Sequence, residues 1–167
     1  MTTSSFRFSR GWAMAISLAA GVVVLASLPP LVGFEAGVLV RQGFAPFCHQ
    51  LVDRSPHANG VPFALCHRCY GIVVGLAGGV AIGPLVPGLL ARIAPRSPLA
   101  VLLFATVPTA IDWTLGMTGA WPNTGASRSV TGSVFGVAAG LLLAVAFCSL
   151  REAASASSDS LSSTSTP

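Results

Sequence analysis

Four apolar stretches dominate the hydropathy pattern of this chain, and short polar segments separate them. They cover residues 11–34, 66–90, 98–117 and 130–150, and Pro29-Pro30 breaks the first of them near its end. A helix that spans a lipid bilayer needs about 20 mostly apolar residues, and each stretch meets that requirement. The pattern therefore predicts an all-α fold: an integral membrane bundle of about four transmembrane helices, formed by residues 11–150 and bearing a Cys/His-containing extracytoplasmic loop.

The first stretch has a second interpretation. Arg7 and Arg10 precede it, and Val24-Leu25-Ala26 fits the small-residue cleavage site of a signal peptide. The apolar run nevertheless continues past Ala26 as far as Phe34. This continuation favours a retained membrane anchor.

The composition agrees with a membrane location. Hydrophobic residues make up 53% of the chain and charged residues only 8%, whereas a soluble domain carries about 25% charged residues. The net charge of +4 comes from scattered arginines, and nucleic-acid binding would need a clustered basic patch. We expect the lipid bilayer, and no nucleic acid, as the partner.

The arginines also indicate an orientation. Five lie on the side of the chain termini, namely Arg7, Arg10, Arg92, Arg96 and Arg151, and four on the other side, namely Arg41, Arg54, Arg68 and Arg128. Cytoplasmic segments carry the excess of basic residues. We therefore expect a multi-pass protein of the cell membrane with residues 1–10 in the cytoplasm and both polar loops outside. The Ser/Thr-rich tail, residues 151–167, has too few bulky apolar residues to fold and is predicted to be disordered.

Glycine recurs at every fourth position in the second and fourth stretches. The positions are Gly71, Gly75, Gly79 and Gly83 in one stretch and Gly132, Gly136 and Gly140 in the other. Residues four apart share a helix face, and small residues allow membrane helices to approach closely. The two faces pack on each other in parallel, or each binds another helix, a second copy of the chain or a membrane-protein partner.

A group of thiols and imidazoles flanks the first polar loop. Its members are Cys48, His49, Cys66, His67 and Cys69. These are ligands that zinc and monovalent copper prefer, which predicts a metal site for Zn or Cu. Outside the cytoplasm thiols tend to be oxidised, so a disulfide from Cys48 to Cys66 or Cys69 is an equally weighted alternative. His57 is expected to be a solvated loop residue, and Cys148 a buried free thiol.

A second polar group accompanies the later stretches. We assign to it Arg54, Arg68, Asp112, Asn123, Arg128 and Thr131. An ionisable residue inside a membrane span is costly and indicates a function or a fixed ion pair. Asp112 is expected to pair with Arg128, with Arg68 as the competing partner.

Taken together, these motifs resemble the DUF2085 family of small predicted membrane proteins. The similarity lies in Cys48-His49-Gln50, Arg54-Ser55, Cys66 through Ile72, Ile111-Asp112, and Asn123 through Gly132. The segment from Trp121 to Ser127 departs from the family pattern, as do Leu115 and Gly116, near which a glutamine is usual. The resemblance implies no established reaction.

Three functions remain open at this point. The first is binding of a metal ion, or redox chemistry, by the Cys/His group. The second is a structural or assembly subunit whose loop is stapled by a disulfide. The third is a small transporter component that uses Asp112 and Arg128. No pairing of nucleophile and base indicates a reaction, so the sequence leaves open whether the chain is an enzyme.

Overall fold

The computed structural model describes residues 10–85 and 97–163, with side chains for residues 11–85 and 97–147. It confirms the all-α fold. Within the described residues, five α-helices follow in order: α1 Arg10–Ser27, α2 Phe34–Phe44, α3 His67–Ile82, α4 Pro98–Met117 and α5 Gly125–Ser163. Short 3-10 turns cover Pro29–Leu31, Val52–Arg54 and Gly83–Leu85, and a small hairpin pairs β1 (His57–Ala58) with β2 (Val61–Pro62).

Three described helical segments are long and apolar enough to cross a membrane: His67–Leu85, Pro98–Met117 and Gly125–Phe147. The apolar part of α1, Gly11–Ser27, is shorter. At 1.5 Å per residue it measures about 25 Å, close to the lower limit for a span.

The first helix ends earlier than the apolar run that predicted it. Pro29 and Pro30 follow α1, and the chain turns through Pro29–Leu31 before α2 begins at Phe34. Proline has no backbone N–H to donate and its ring clashes with the preceding helical turn, so the apolar run at residues 11–34 is broken at Pro29-Pro30, as the sequence predicts. The apolar residues after Ser27 therefore belong to a turn and to a separate short helix.

The glycine faces of α3 and α5 pack directly on each other, and the two helices run in parallel. This is the first of the two alternatives that the glycine spacing predicts. A Cβ on Gly75 would strike the backbone of Ser133, and a Cβ on Gly136 would strike the carbonyl of Ile72. A Cβ on Gly79 would lie 2.5 Å from the Val137 carbonyl oxygen. Any side chain at these positions would force the helices apart, so the glycine faces are occupied within the chain itself.

Two further helices pack on the outside of this pair. α1 runs antiparallel to α3: the Trp12 indole donates a hydrogen bond to the Val80 carbonyl at 2.8 Å, and the Ser27 and Tyr70 hydroxyls meet at 3.0 Å. α4 packs against α5, where the Thr109 hydroxyl donates to the Thr131 carbonyl at 3.1 Å. As a result, α1 and α4 end, and α3 and α5 begin, at the same end of the bundle.

The last helix is longer at both ends than its apolar stretch. It begins at Gly125, where the Thr124 hydroxyl accepts a hydrogen bond from the Ser127 amide at 3.1 Å in the manner of a helix cap. It runs through Ser163, which differs from the disordered tail predicted for residues 151–167. This tail has no glycine or proline before Pro167, and adding residues to an existing helix avoids the cost of nucleation. The predictions for residues 1–9, 86–90 and 164–167 lie outside the described residues.

Candidate metal centre

Three cysteine sulfurs converge at the end of the bundle where α3 begins. The Sγ atoms of Cys48, Cys66 and Cys69 all lie within 4.8 Å of one another. Cys66 is the N-cap of α3 and Cys69 lies in its first turn. Cys48 reaches them from the loop after α2, 18 residues before Cys66.

The loop position of Cys48 is fixed on both sides. Its amide donates to the Phe44 carbonyl at 3.1 Å, which continues the last turn of α2. Its sulfur accepts a hydrogen bond from the Cys66 amide at 3.3 Å. Cys48 is only 5% exposed and packs with Ala26 and Leu65, which are 0% and 2% exposed. The thiol therefore faces its two partners and is shielded from solvent.

Arg41 and Gln50 hold the loop that carries Cys48. The Arg41 guanidinium donates to the carbonyls of Gln50 and Phe63, each at 3.2 Å, and the Gln50 amide donates back to the Arg41 carbonyl at 2.5 Å. Gln50 adopts a left-handed backbone with φ of 49°. Neither residue belongs to the site predicted from the sequence, because their side chains contact backbone carbonyls that no local spacing reveals.

The rest of the loop is ordered by its own turns. Ser55 is 3% exposed and its hydroxyl donates to the Leu51 carbonyl at 2.9 Å. The hairpin turns at Asn59-Gly60, both with positive φ, as Asn-Gly turns commonly do. Ala64 then donates to the Ala26 carbonyl at 2.9 Å and returns the chain to the end of α1. The loop is thus tied to the bundle on both sides of the cysteine cluster.

Aromatic and apolar side chains line the inner side of the cluster. Phe44, Tyr70 and Val73 pack against the buried residues around Cys48. The Tyr70 ring meets Phe63 edge-on, with centroids 5.4 Å apart. These side chains help to bury Cys48, whereas Cys66 and Cys69 remain partly exposed.

The surroundings of Cys66 favour its ionised form. The hydrogen bond from the Cys69 thiol outweighs burial, which acts in the opposite direction, and lowers the pKa of Cys66 to about 5. Backbone amides at the start of α3 act in the same direction as the Cys69 thiol, as expected at the positive end of a helix. Metal ligation by cysteine requires the thiolate, and Cys66 is already disposed to supply it.

The histidines of the predicted group lie apart from the three sulfurs. The His67 ring packs against Gly125, and its Nδ1 lies 3.3 Å from the Ser129 hydroxyl on α5. His49 and His57 are exposed on the loop. Within the side chains that the structure describes, the group able to hold a metal consists of Cys48, Cys66 and Cys69 alone.

All three of these cysteines are free thiols in the structure. A disulfide would bring two sulfurs to about 2.05 Å. The alternative of a disulfide-stapled loop predicts such a bond between Cys48 and either of its partners. The side chain of Cys148 lies outside the described part of the chain.

The second polar group assembles around Asp112. Its carboxylate forms an ion pair with the Arg68 guanidinium at 2.8 Å and accepts a hydrogen bond from the Asn123 amide at 2.8 Å. Arg128 donates to the side-chain oxygen of Asn123. The expected Asp112–Arg128 pair is therefore replaced by Asp112–Arg68, the competing alternative, and Asn123 joins Arg128 to the same carboxylate.

Two other members of the predicted group have different polar partners in the structure. Arg54 pairs at 3.6 Å with its exposed neighbour Asp53. The Thr131 hydroxyl bonds within α5 to the Ser127 carbonyl at 2.9 Å. The polar group that the structure brings together is Arg68, Asp112, Asn123 and Arg128.

Comparison with known proteins matches this chain to a family model. The model describes a predicted membrane protein, DUF2085, and it matches residues 48–142. The chain belongs to this family. The matched part begins at the first cysteine of the cluster and includes both other cysteines and the whole polar group around Asp112. The family description supports the membrane assignment and names no activity.

A curated relative comes from an archaeon. The chain is 31% identical over 93 residues to "Uncharacterized protein MJ1492" of Methanocaldococcus jannaschii. The aligned part covers 56% of this chain and 58% of the relative, so the chain spans less than two thirds of that protein's length. No solved structure matches the chain.

Proposed function

We propose that this DUF2085 protein binds one thiolate-preferring metal ion, zinc or copper, at the end of its membrane bundle. The observation that carries the proposal is the convergence of three cysteine sulfurs within 4.8 Å, one of them from a loop distant in sequence. Cysteine thiolates are strong ligands for both metals. A shared ion would neutralise charge that is otherwise costly at a half-buried site.

The construction of the loop supports this proposal. Backbone carbonyls near Cys48 accept hydrogen bonds from the side chains of Arg41, Gln50 and Ser55. Such bonds fix the position of a ligand, and residues that orient metal ligands commonly determine affinity. A loop that only connected two helices would not need these side-chain hydrogen bonds to its backbone.

The polar group around Asp112 supports the same function by positioning α3. Arg68 lies between Cys66 and Cys69 in sequence, and its side chain is held by Asp112 of α4. Because Asp112 is already paired with Arg68, the group favours a positioning role over a transport path.

We also propose that the metal site faces the outside of the cell membrane. Of the four arginines at this end, Arg41, Arg68 and Arg128 are engaged by contacts inside the protein. Their presence there is explained by those contacts. The remaining excess of arginine then lies on the side of the termini, as the positive-inside rule requires of the cytoplasmic face.

The proposal is tested by metal analysis of the full chain purified in detergent under reducing conditions. We expect one zinc or copper ion per chain, with loss of that ion in Cys48→Ser, Cys66→Ser and Cys69→Ser. The matched control is Cys148→Ser, whose backbone position lies about 35 Å along α5 from the start of that helix. Equal metal content in all five proteins would refute the site.

Thiol counting separates the metal site from a disulfide staple. Under the proposal, the metal-free protein offers three alkylatable thiols at Cys48, Cys66 and Cys69 without added reductant. Protein that lacks metal and exposes these thiols only after reduction would establish the structural alternative.

A further inference from the structure

We infer that the metal is monovalent copper, bound by three sulfurs with no fourth protein ligand. This inference rests on the proposed function of the cysteine cluster and names the ion that the cluster selects. It follows from the composition of the cluster and from the surroundings of its three sulfurs.

The donor set is made of sulfur alone. Soft thiolate ligands select soft ions such as monovalent copper. Structural zinc sites are almost always tetrahedral with four protein ligands, and catalytic zinc sites add water to three. The choice between the metals therefore depends on whether a fourth donor lies near Cys48, Cys66 and Cys69.

Within the described side chains, the neighbouring histidines are turned elsewhere. His67 follows Cys66 directly, but its ring lies against Gly125 and Ser129 on α5. A Cβ at Gly125 would be 2.7 Å from His67 Nε2, so glycine at this position makes room for the ring in that orientation. His49 follows Cys48 directly and is exposed on the loop.

The Asp112 carboxylate, which contacts the first turn of α3 through Arg68, already has hydrogen-bond partners. Asp112 accepts hydrogen bonds from both Arg68 and Asn123 on the same Oδ2 atom. Its backbone carbonyl accepts a second bond from the Asn123 amide at 2.9 Å. Recruiting Asp112 to a metal would leave the Arg68 guanidinium, whose Nε is already buried without a partner, with no counter-charge.

The remaining walls of the cluster supply few donors. Ala26, Leu65 and Val73 are apolar, and the Tyr70 hydroxyl is directed to Ser27. A zinc ion here would need water or an external ligand for its fourth position. Monovalent copper, by contrast, is satisfied by the three sulfurs present.

The charge of the surroundings suits such a complex. Three thiolates around a monovalent cation leave a net negative charge. Cys66 is the N-cap of α3, next to the backbone amides of the first helical turn, and the polar group around Asp112 contains two guanidinium groups for one carboxylate. Both features stabilise negative charge at this end of the bundle.

The test uses the Cys148→Ser protein, purified in detergent and kept reduced without oxygen. It is loaded with one equivalent of zinc, then given one equivalent of monovalent copper supplied from a chromophoric chelator. We expect copper to displace all of the zinc, and X-ray absorption of the copper form to show three sulfur neighbours and no nitrogen or oxygen neighbour. His67→Ala should leave this spectrum and the copper affinity unchanged.

Three results would overturn the inference. The first is zinc that stays bound in the presence of equimolar copper. The second is a nitrogen or oxygen ligand in the copper spectrum, and the third is a loss of copper affinity of about tenfold or more in His67→Ala, the size typical for a lost metal-site contact. All three would leave the proposed metal site intact, whereas failure of both metals to bind would refute the proposed function itself.

Discussion

The carboxylate of Asp112 on α4 meets the guanidinium of Arg68 on α3 at 2.8 Å, with only 7% of the Asp112 side chain exposed. Arg68 is flanked in sequence by His67 and by Cys69, one of the three clustered cysteines. The ion pair therefore joins the outer helix α4 to the turn that presents two of the sulfurs. Asn123 extends the same network to Arg128 at the start of α5.

Removing the carboxylate should destabilise the bundle. Asp112→Ala leaves the Arg68 guanidinium without its partner, and breaking a buried pair in this way costs about 3–5 kcal/mol. Equilibrium unfolding in detergent measures this free energy. Arg54→Gln serves as the control, because Arg54 and Asp53 form an exposed pair with 55% and 75% of their side chains accessible, for which we expect a change of about 0.5 kcal/mol or less.

A double-mutant cycle identifies the partner of Asp112 directly. The coupling energy between Asp112→Asn and Arg68→Gln should exceed the coupling between Asp112→Asn and Arg128→Gln, because Arg128 reaches Asp112 only through Asn123. The reverse order would restore the Asp112–Arg128 pair expected from the sequence.

The glycine faces give a third prediction, with a control on the same helix. A Cβ at Gly75 would lie 2.9 Å from the Ser133 Cα, whereas a Cβ at Gly78 would meet nothing within 4 Å. Gly75→Ala should therefore lower the free energy of unfolding by about 1–3 kcal/mol, as overpacking does. Gly78→Ala should be neutral, or stabilising by up to about 1 kcal/mol, because alanine favours the helix. Equal effects of the two substitutions on thermal unfolding would contradict the parallel packing of α3 on α5.

The loop anchor, Arg41, gives a fourth prediction. Arg41→Gln removes the guanidinium bonds to the Gln50 and Phe63 carbonyls and frees the segment that carries Cys48. Since residues that orient metal ligands typically contribute 10–100-fold to affinity, we expect a loss of about tenfold in metal affinity. Arg54→Gln, which removes an arginine from the same loop without such contacts, is the control. Metal titration measures the metal affinity of both variants. Indistinguishable affinities would show that Arg41 does not position the metal site.

Periodic features of the sequence predicted much of the architecture. The four-residue glycine spacing on two helices is visible in the sequence alone. Direct packing of the two glycine faces explains why both helices have this spacing. Cys66 and Cys69 are also close in sequence, so their proximity at the start of α3 could be expected. The bounds of α4 agree with the apolar stretch at residues 98–117.

The features that the sequence did not reveal depend on contacts between distant elements. Nothing local distinguishes Arg41 from an ordinary basic residue near a membrane, because its partners are backbone carbonyls elsewhere in the loop. The choice of Arg68 over Arg128 by Asp112 depends on how α4 lies against two helices. His67 is a predicted ligand because it adjoins Cys66, although a helix that begins near Cys66 turns His67 away from the face shared by Cys66 and Cys69. Only the structure identifies its partner, Ser129 on α5.

Protection of thiols by metal tests the central claim most directly. In the Cys148→Ser protein every remaining cysteine belongs to the cluster. Mass spectrometry after alkylation to completion should find all three thiols modified in the metal-free protein, with the buried Cys48 modified most slowly. After one equivalent of metal is added, it should find none modified. Alkylation that is the same with and without metal, or that protects only two of the three cysteines, would contradict a shared site formed by Cys48, Cys66 and Cys69.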